Sequence, residues 1–190
     1  SDGFESDAIM PLSTLDISNL PALMYLDVKN NKLTSIDLTH NSMLRWVNLN
    51  GNNLTSVDLS GCTGLIELNI SRNALTSLDV TKLTSLVNLA ADGNNLTSVD
   101  LSKNIALESL MLGNNAIKSL DTSSLKNLQS LYINGNGMTA DELNDLYYLL
   151  PVRIDKDPDN TGVGALSWNL AVIQGGDKVE NDGRRADSSI

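Results

Sequence analysis

The chain has 190 residues, of which 41% are hydrophobic but only 4% aromatic, so its core must be built from aliphatic side chains arranged in a regular way. The formal net charge of −10 disfavours nucleic acid or an anionic membrane surface as partner, because both carry negative charge themselves. No stretch approaches the ~20 apolar residues of a membrane-spanning helix, so direct membrane insertion is not expected.

A 21-residue period runs through most of the chain, and six leucines mark it: Leu23, Leu44, Leu65, Leu86, Leu107 and Leu128. We number each of these leucines as position 1 of its repeat. Apolar residues then recur at positions 4 and 6, as in Val47 and Leu49, which predicts a short strand in each repeat. A fixed period of this length indicates a solenoid whose repeats contact only their neighbours.

The repeats divide the chain into three parts. Residues 1–22 form an N-terminal segment with a partial capping repeat, since Leu12, Leu15, Ile17 and Leu20 fall on the same phase. Residues 23–138 are the full repeats, and residues 139–190 are a C-terminal cap that looks truncated. The chain starts at Ser1 without an initiator methionine, which is typical of a processed or trimmed product.

The second half of each repeat is also regular, as in the segment Leu54-Thr-Ser-Val57-Asp58-Leu59-Ser60. Its alternation of apolar and polar residues, rich in β-branched side chains, favours a second short strand over a helix. We therefore expect two parallel sheets along the solenoid.

The segment Leu44-x-x-Val47-x-Leu49-x-x-Asn52-x-Leu54 resembles the leucine-rich-repeat consensus, and the resemblance covers residues 12–138. The short repeats are similar to those of internalin-like bacterial surface proteins. The resemblance implies a predominantly β, α/β solenoid: a right-handed superhelix with a parallel concave sheet, short convex strands and a helix–strand C-terminal cap. It also implies a non-catalytic protein that is secreted or displayed on the cell surface.

Position 9 of every repeat is asparagine: Asn31, Asn52, Asn73, Asn94, Asn115 and Asn136. In leucine-rich repeats such an asparagine ladder turns inward and bonds backbone groups of adjacent rungs. We therefore interpret these six side chains as structural.

A column of aspartates lies one rung apart: Asp16, Asp37, Asp58, Asp79, Asp100 and Asp121. Like charges about 5 Å apart repel, so these carboxylates must be solvated or well hydrogen-bonded. We favour an exposed polar ladder in which the neighbouring serines of the Ser35 and Ser56 column supply hydroxyl donors. A cation-binding strip is the alternative, although no metal site is assigned.

The C-terminal cap opens with Thr139-Ala-Asp-Glu142, a capping box that predicts a helix ending before Pro151. A polar loop over 155–164, a strand over 165–173 and a second loop over 175–185 are expected to follow. The Asp155-Lys-Asp157-Pro-Asp159 run imitates a calcium loop, but Leu166 occupies the place of its bidentate glutamate.

The sequence offers little for catalysis and calls for no cofactor. It contains one histidine, His40, and one cysteine, Cys62, which lie about one rung apart. A Cys–His dyad needs a third orienting group and a pocket, and the column of Cys62 also holds leucines, which indicates that it faces the core. We predict no enzyme activity.

Positions 3, 5 and 7 vary between repeats, and the family resemblance places such side chains on the ligand-binding concave face. Tyr25 and Trp46 lie near one end of that face, and Met111 and Tyr132 near the other. The predicted binding residues are Tyr25, Asp27, Arg45, Trp46, Asn48, Asn50, Glu67, Asn69, Met111 and Tyr132. The expected partner is a protein, peptide or glycan; in the alternative, the chain is a structural spacer of a multidomain surface protein.

Overall fold

The computed structural model describes residues 11–150, except for the side chains of Tyr147 and Tyr148. Each strand covers positions 3 to 5 of one repeat, and a single helix follows the last strand in this part of the chain. The strands are β1 (Tyr25–Asp27), β2 (Trp46–Asn48), β3 (Glu67–Asn69), β4 (Asn88–Ala90), β5 (Ser109–Met111) and β6 (Ser130–Tyr132), and the helix is α1 (Ala140–Leu149).

The six strands form one parallel sheet in sequence order, β1 to β6. Each residue pairs with the residue 21 positions later: Tyr25 lies opposite Trp46, and Trp46 lies opposite Glu67. The 21-residue period therefore becomes a spatial register in which equivalent positions stack in columns. The predicted leucine-rich-repeat solenoid with a parallel sheet is confirmed.

The core consists of stacked aliphatic columns. Positions 1, 4 and 6 of the second repeat, Leu44, Val47 and Leu49, are at most 1% exposed, and Leu54 and Leu59 close the same rung from the other side. Burying a side chain of this size stabilises the fold by roughly 1.5–3 kcal/mol. Because the two faces of a rung are covered only by its neighbours, the repeats are stable only as a stack.

The expected second strand does not form in the described part of the chain, where the structure has a single sheet. In the first repeat the inward residues are Leu33, Ile36 and Leu38, so the first interval is three residues and both Thr34 and Ser35 are exposed. A strand alternates strictly by two. The expectation of two sheets was wrong because the apolar pattern records which residues are buried, and an extended segment buries them without pairing.

The two ends of the described chain differ. In the partial N-terminal repeat Ile17 is buried, whereas Leu12 and Leu20 are 45% and 50% exposed. At the other end Thr139 and Glu142 form the predicted capping box, in which the Thr139 N–H donates to Glu142 at 2.6 Å and the Glu142 N–H donates to the Thr139 hydroxyl at 3.3 Å.

Helix α1 exposes Leu149 but buries Leu146, and Leu150 directly after the helix is buried as well, so both join the hydrophobic core. No helix between residues 11 and 150 is long and apolar enough to cross a membrane. The strand predicted over 165–173 and the two flanking loops lie outside the described residues, and the three-part division of the chain stays a prediction.

Candidate functional site on the outer face of the sheet

The outer face of the sheet carries the variable side chains of positions 3, 5 and 7, because positions 4 and 6 point into the core. Tyr25 is 68% exposed, and Met111 and Tyr132 are each 36% exposed. Trp46 and Glu67 are half-buried. The structure thus separates the predicted binding residues into an exposed aromatic residue at each end and a more recessed middle.

The recessed middle is an open depression with a volume of about 610 Å³. Its lining comes from positions 5, 7 and 8 of successive repeats, and it includes Asn48, Asn50, Asn69 and Met111 of the predicted set. The other lining residues at positions 5 and 7, which the sequence assigned to this face without naming them as binding residues, are Lys29, Ser71, Ala90 and Asp92. The position 8 residues Arg72, Gly93 and Asn114 were not anticipated. Positions 7 and 8 lie where the strands end and the chain turns.

In the first three repeats the position 5 side chain holds the turn that follows the strand. The Lys29 N–H donates to Asp27 Oδ1 at 3.1 Å, and equivalent bonds of 3.2 Å run from Asn50 N–H to Asn48 and from Ser71 N–H to Asn69. The side-chain oxygens are therefore committed to the backbone. The amide nitrogens of Asn48 and Asn69 are left for solvent or a ligand.

Charged groups in this region are only partly paired. Lys29 Nζ lies 3.4 Å from the Asp27 carboxylate, and both side chains are exposed. Deeper in the depression, the Ser71 hydroxyl donates to Asp92 Oδ2 at 3.0 Å. This hydroxyl joins adjacent rungs, since Ser71 and Asp92 occupy the same position of successive repeats.

Arg45 was predicted on the binding face, but the structure places it at position 2, before β2 begins. Its Nη1 donates to the Gly64 carbonyl at 2.8 Å in the next rung, and the guanidinium fills the space beside Gly64, where a Cβ would lie 1.4 Å from Nη1. Arg45 therefore bridges two rungs at the flank of the sheet, and this contact gives it a packing role.

The asparagine ladder ties each rung to the one before it. Asn52 Nδ2 donates to the carbonyls of Val28 and Leu49, both at 3.0 Å, while its Oδ1 accepts the Leu33 N–H at 3.0 Å. The same type of bonds recurs along the column. These side chains are occupied by the backbone and are not available to a ligand.

Two further buried asparagines, Asn41 and Asn104, lie outside the ladder and were not predicted from the sequence. They occupy position 19, the column of Cys62, and both are completely buried. Asn41 Nδ2 donates to the carbonyls of Ile17 and Leu20 at 3.0 and 2.8 Å, and Asn104 makes the equivalent pair of bonds. A polar residue in a leucine column was the signal that could have identified them.

The aspartate column is exposed, and each carboxylate accepts the backbone N–H of the residue two positions later, as in the 2.9 Å bond from Ser60 to Asp58. The serines of the Ser35 and Ser56 column were expected to supply the donors, and this expectation was wrong. Each carboxylate instead accepts a hydrogen bond from the residue two positions later in its own rung. Hydrogen bonds from the Ser60 hydroxyl and N–H lower the pKa of Asp58. The other five aspartates share this lowered pKa and its cause.

His40 and Cys62 do not form a catalytic pair. Cys62 is fully buried, and burial raises the pKa of its thiol to about 11. His40 is exposed, and its Nδ1 lies 3.2 Å from the Thr39 hydroxyl. Among residues 11–150 no three histidine, cysteine, aspartate or glutamate side chains are grouped to hold a metal ion.

Comparison with known proteins agrees with this architecture. A family model described as Leucine Rich repeats (2 copies) matches residues 105–147. The functional domain of InlJ from Listeria monocytogenes, which includes a cysteine ladder, is 30% identical with a TM-score of 0.56, over 68% of this chain and 34% of that one. No curated protein matches the chain in sequence.

Two further solved structures extend the likeness. A leucine-rich-repeat protein of Leptospira interrogans is 26% identical with a TM-score of 0.70, over 74% of this chain and 39% of that one. The internalin InlF from Listeria monocytogenes is 23% identical with a TM-score of 0.68, over 72% of this chain and 43% of that one. The chain has the leucine-rich-repeat solenoid fold and is similar to these internalin-like bacterial proteins, and it spans less than half the length of all three.

Proposed function

We propose that this chain is a non-catalytic recognition module that binds a protein, peptide or glycan on the outer, concave face of its sheet. The leucine-rich-repeat solenoid is commonly a protein-interaction module, and the similar solved structures are of this class. By the same resemblance, we place the protein outside the bacterial cell, secreted or displayed on its surface.

One observation carries the proposal: the exposed aromatic side chains of the described residues, Tyr25 and Tyr132, both lie on the face that is free to vary. Positions 1, 4, 6 and 9 repeat because the core and the asparagine ladder require them. Positions 3 and 5 are not held to one residue type in this way, and they carry Tyr25, Met111 and Tyr132, each at least 36% exposed. Exposed aromatic and methionine side chains are typical anchors of binding surfaces.

The size of this face limits the partner. Six strands at ~4.8 Å spacing span about 24 Å, and the three strand residues add roughly 10 Å. The sheet alone thus offers much less than the roughly 800 Å² per partner of a standard protein interface. A short linear ligand fits it, and a larger protein would also need the flanking loops.

The test measures binding of the chain to peptide, glycan and surface-protein arrays. It compares two variants that carry three substitutions each. The binding variant carries Tyr25→Ser, Met111→Ser and Tyr132→Ser. The control carries Thr55→Ala, Thr76→Ala and Thr97→Ala, which are exposed on the opposite side of three rungs. We expect the first variant to lose at least tenfold in affinity and the control to bind like the wild type.

The alternative is a structural spacer that holds another domain away from the cell surface. A spacer predicts that the wild-type chain binds nothing on any array, or that the two variants bind equally. Either result would replace the recognition proposal with the spacer.

A further inference from the structure

Arg72 has an uncommon backbone conformation for its residue type. It lies at position 8 with φ of 53°, in the left-handed region. All six residues of this column have positive φ: Asn30, Gly51, Arg72, Gly93, Asn114 and Gly135. Glycine adopts this region freely and asparagine tolerates it, whereas a long side chain is disfavoured there. The chain therefore keeps an arginine where its own repeat prefers glycine or asparagine.

The side chain of Arg72 is available to a ligand. It is exposed and lines the depression, and a Cβ added at Gly93 in the next rung would lie 3.6 Å from its Cγ, so no side chain covers it from that rung. Between residues 11 and 150 the ion pair is Lys29 with Asp27, and the Asp92 carboxylate accepts the Ser71 hydroxyl. The guanidinium has no hydrogen-bond or ion-pair partner in the described structure.

The groups around Arg72 are mainly donors. The side-chain oxygens of Asn48 and Asn69 accept backbone N–H groups, which fixes the amide orientation and leaves their Nδ2 groups toward the depression. Lys29 also lines the depression, but it is paired with Asp27, and the lining carboxylate of Asp92 accepts the Ser71 hydroxyl. Among the described residues, Arg72 is therefore the cation of this depression that has no partner, in a protein of net charge −10.

The apolar part of the lining favours a peptide over a sugar. Ala90 and Met111 supply aliphatic surface, and the residues that line the depression include no aromatic ring on which a sugar could stack. Tyr25, Trp46 and Tyr132 lie outside it. Donors in the middle with aliphatic surface beside them suit a chain whose carbonyls and side-chain carboxylate accept hydrogen bonds.

We propose that the depression binds an acidic segment of an extended peptide, and that Arg72 is the residue that selects its carboxylate. A guanidinium binds a carboxylate through two parallel hydrogen bonds, which adds geometric as well as charge selection. This inference rests on the proposed function, since it assigns a ligand class to the same face. It explains why an unfavourable backbone conformation is kept: the residue is retained for binding.

The test begins with a phage-displayed library of random linear 12-residue peptides, selected on the whole chain. We expect the selected peptides to be enriched in aspartate and glutamate. Arg72→Asn should then weaken their binding at least tenfold and flatten its dependence on salt, because an ionic contact is lost. Lys32→Asn is the matched control: it removes the same charge outside the depression and should leave affinity unchanged.

Arg72→Asn also tests whether the left-handed conformation of Arg72 lowers the stability of the chain. Asparagine stands at this position in two other repeats, so Arg72→Asn should raise the Tm by about 1–4 °C while binding is lost. A lower Tm would show that Arg72 stabilises the fold and would overturn the inference.

The outcomes separate the two proposals. If the selected peptides lack acidic residues, or bind Arg72→Asn as well as wild type, but are lost on the triple serine variant, the inference fails and the binding face stands. If they also bind the triple variant, both proposals fail. Binding of oligogalacturonate in place of any peptide would overturn the peptide class.

Discussion

The Asn73 side chain joins two rungs, because its Oδ1 accepts the Leu54 N–H at 3.0 Å and its Nδ2 donates to the Leu49 carbonyl at 3.0 Å, both in the preceding rung, while the same Nδ2 donates to the Ile70 carbonyl of its own rung. A leucine at this position would leave these backbone groups without partners inside the stack. We expect Asn73→Leu to lower the free energy of unfolding by about 2–4 kcal/mol, measured by urea denaturation.

Asn53 provides the control for this change, since it neighbours the ladder but is exposed. Asn53→Leu removes the same polar group and should change stability by less than about 0.5 kcal/mol. Equal losses for the two variants would mean that the ladder bonds contribute nothing specific.

Asn41 is more deeply buried than Asn73, but we expect its replacement by leucine to cost little stability. Its Nδ2 makes two hydrogen bonds, but its Oδ1 is buried without a partner, and the next-but-one rung carries Leu83 at the same position. Asn41→Leu exchanges two bonds for the removal of an unpaired oxygen and added apolar burial. We expect its unfolding free energy to stay within about 1 kcal/mol of wild type; a loss as large as that of Asn73→Leu would contradict this reasoning.

The sequence predicted the repeat columns well because each is set by burial in a stack with fixed register. Leu44, Val47 and Asn52 could be placed from period alone. The second strand was predicted wrongly, because the interval from Leu33 to Ile36 is three residues and interrupts the alternation by two that a strand requires.

The candidate site was predicted in part, for a similar reason. Positions 3 and 5 could be assigned to the outer face from strand alternation, which identified Tyr25, Asn48 and Met111. Position 7 was assigned to the same face, but the depression also uses position 8, where the backbone turns into the left-handed region, and φ of Arg72 is not readable from a pattern of apolar residues. Arg45 lies at position 2, before the strand, and donates to the Gly64 carbonyl, so its role in binding stays a prediction.

The aspartate column predicts how stability depends on pH. Hydrogen bonds hold the pKa of Asp58 and of its equivalents below the ordinary value of 3.8. A carboxylate with a lowered folded pKa contributes stability that is present above 3.8 and is lost as the pH falls through the folded value. Thermal unfolding should therefore show a Tm that declines as the pH falls below about 4.

Asp58→Asn tests this assignment, because asparagine keeps an oxygen that can accept the Ser60 N–H but does not titrate. Its Tm should decline less steeply with acid than that of the wild type. Parallel curves would assign the acid sensitivity to other carboxylates.

The exposed aspartate column could instead bind cations, and calcium titration distinguishes the two interpretations. Each carboxylate is exposed and is already hydrogen-bonded to its own chain, and no acidic cluster in residues 11–150 is grouped to hold a metal. We expect millimolar calcium to leave the Tm unchanged, with EDTA-treated protein as the reference. A Tm that rises with calcium and no longer does so in Asp58→Asn would establish a cation strip.

The burial of Cys62 predicts slow chemical modification of its thiol in the folded chain. Its thiol is fully buried with a pKa of about 11, and the thiolate is the reactive form. Modification by a disulfide reagent at pH 8 should be at least ~100-fold slower in the folded chain than in urea, because burial raises the pKa of the thiol to about 11 and the rung must open. Because His40 is exposed on the turn, His40→Ala should leave the folded rate unchanged. A rate that falls in this variant would show that the imidazole activates the thiol, and would reopen the catalytic pair that burial argues against.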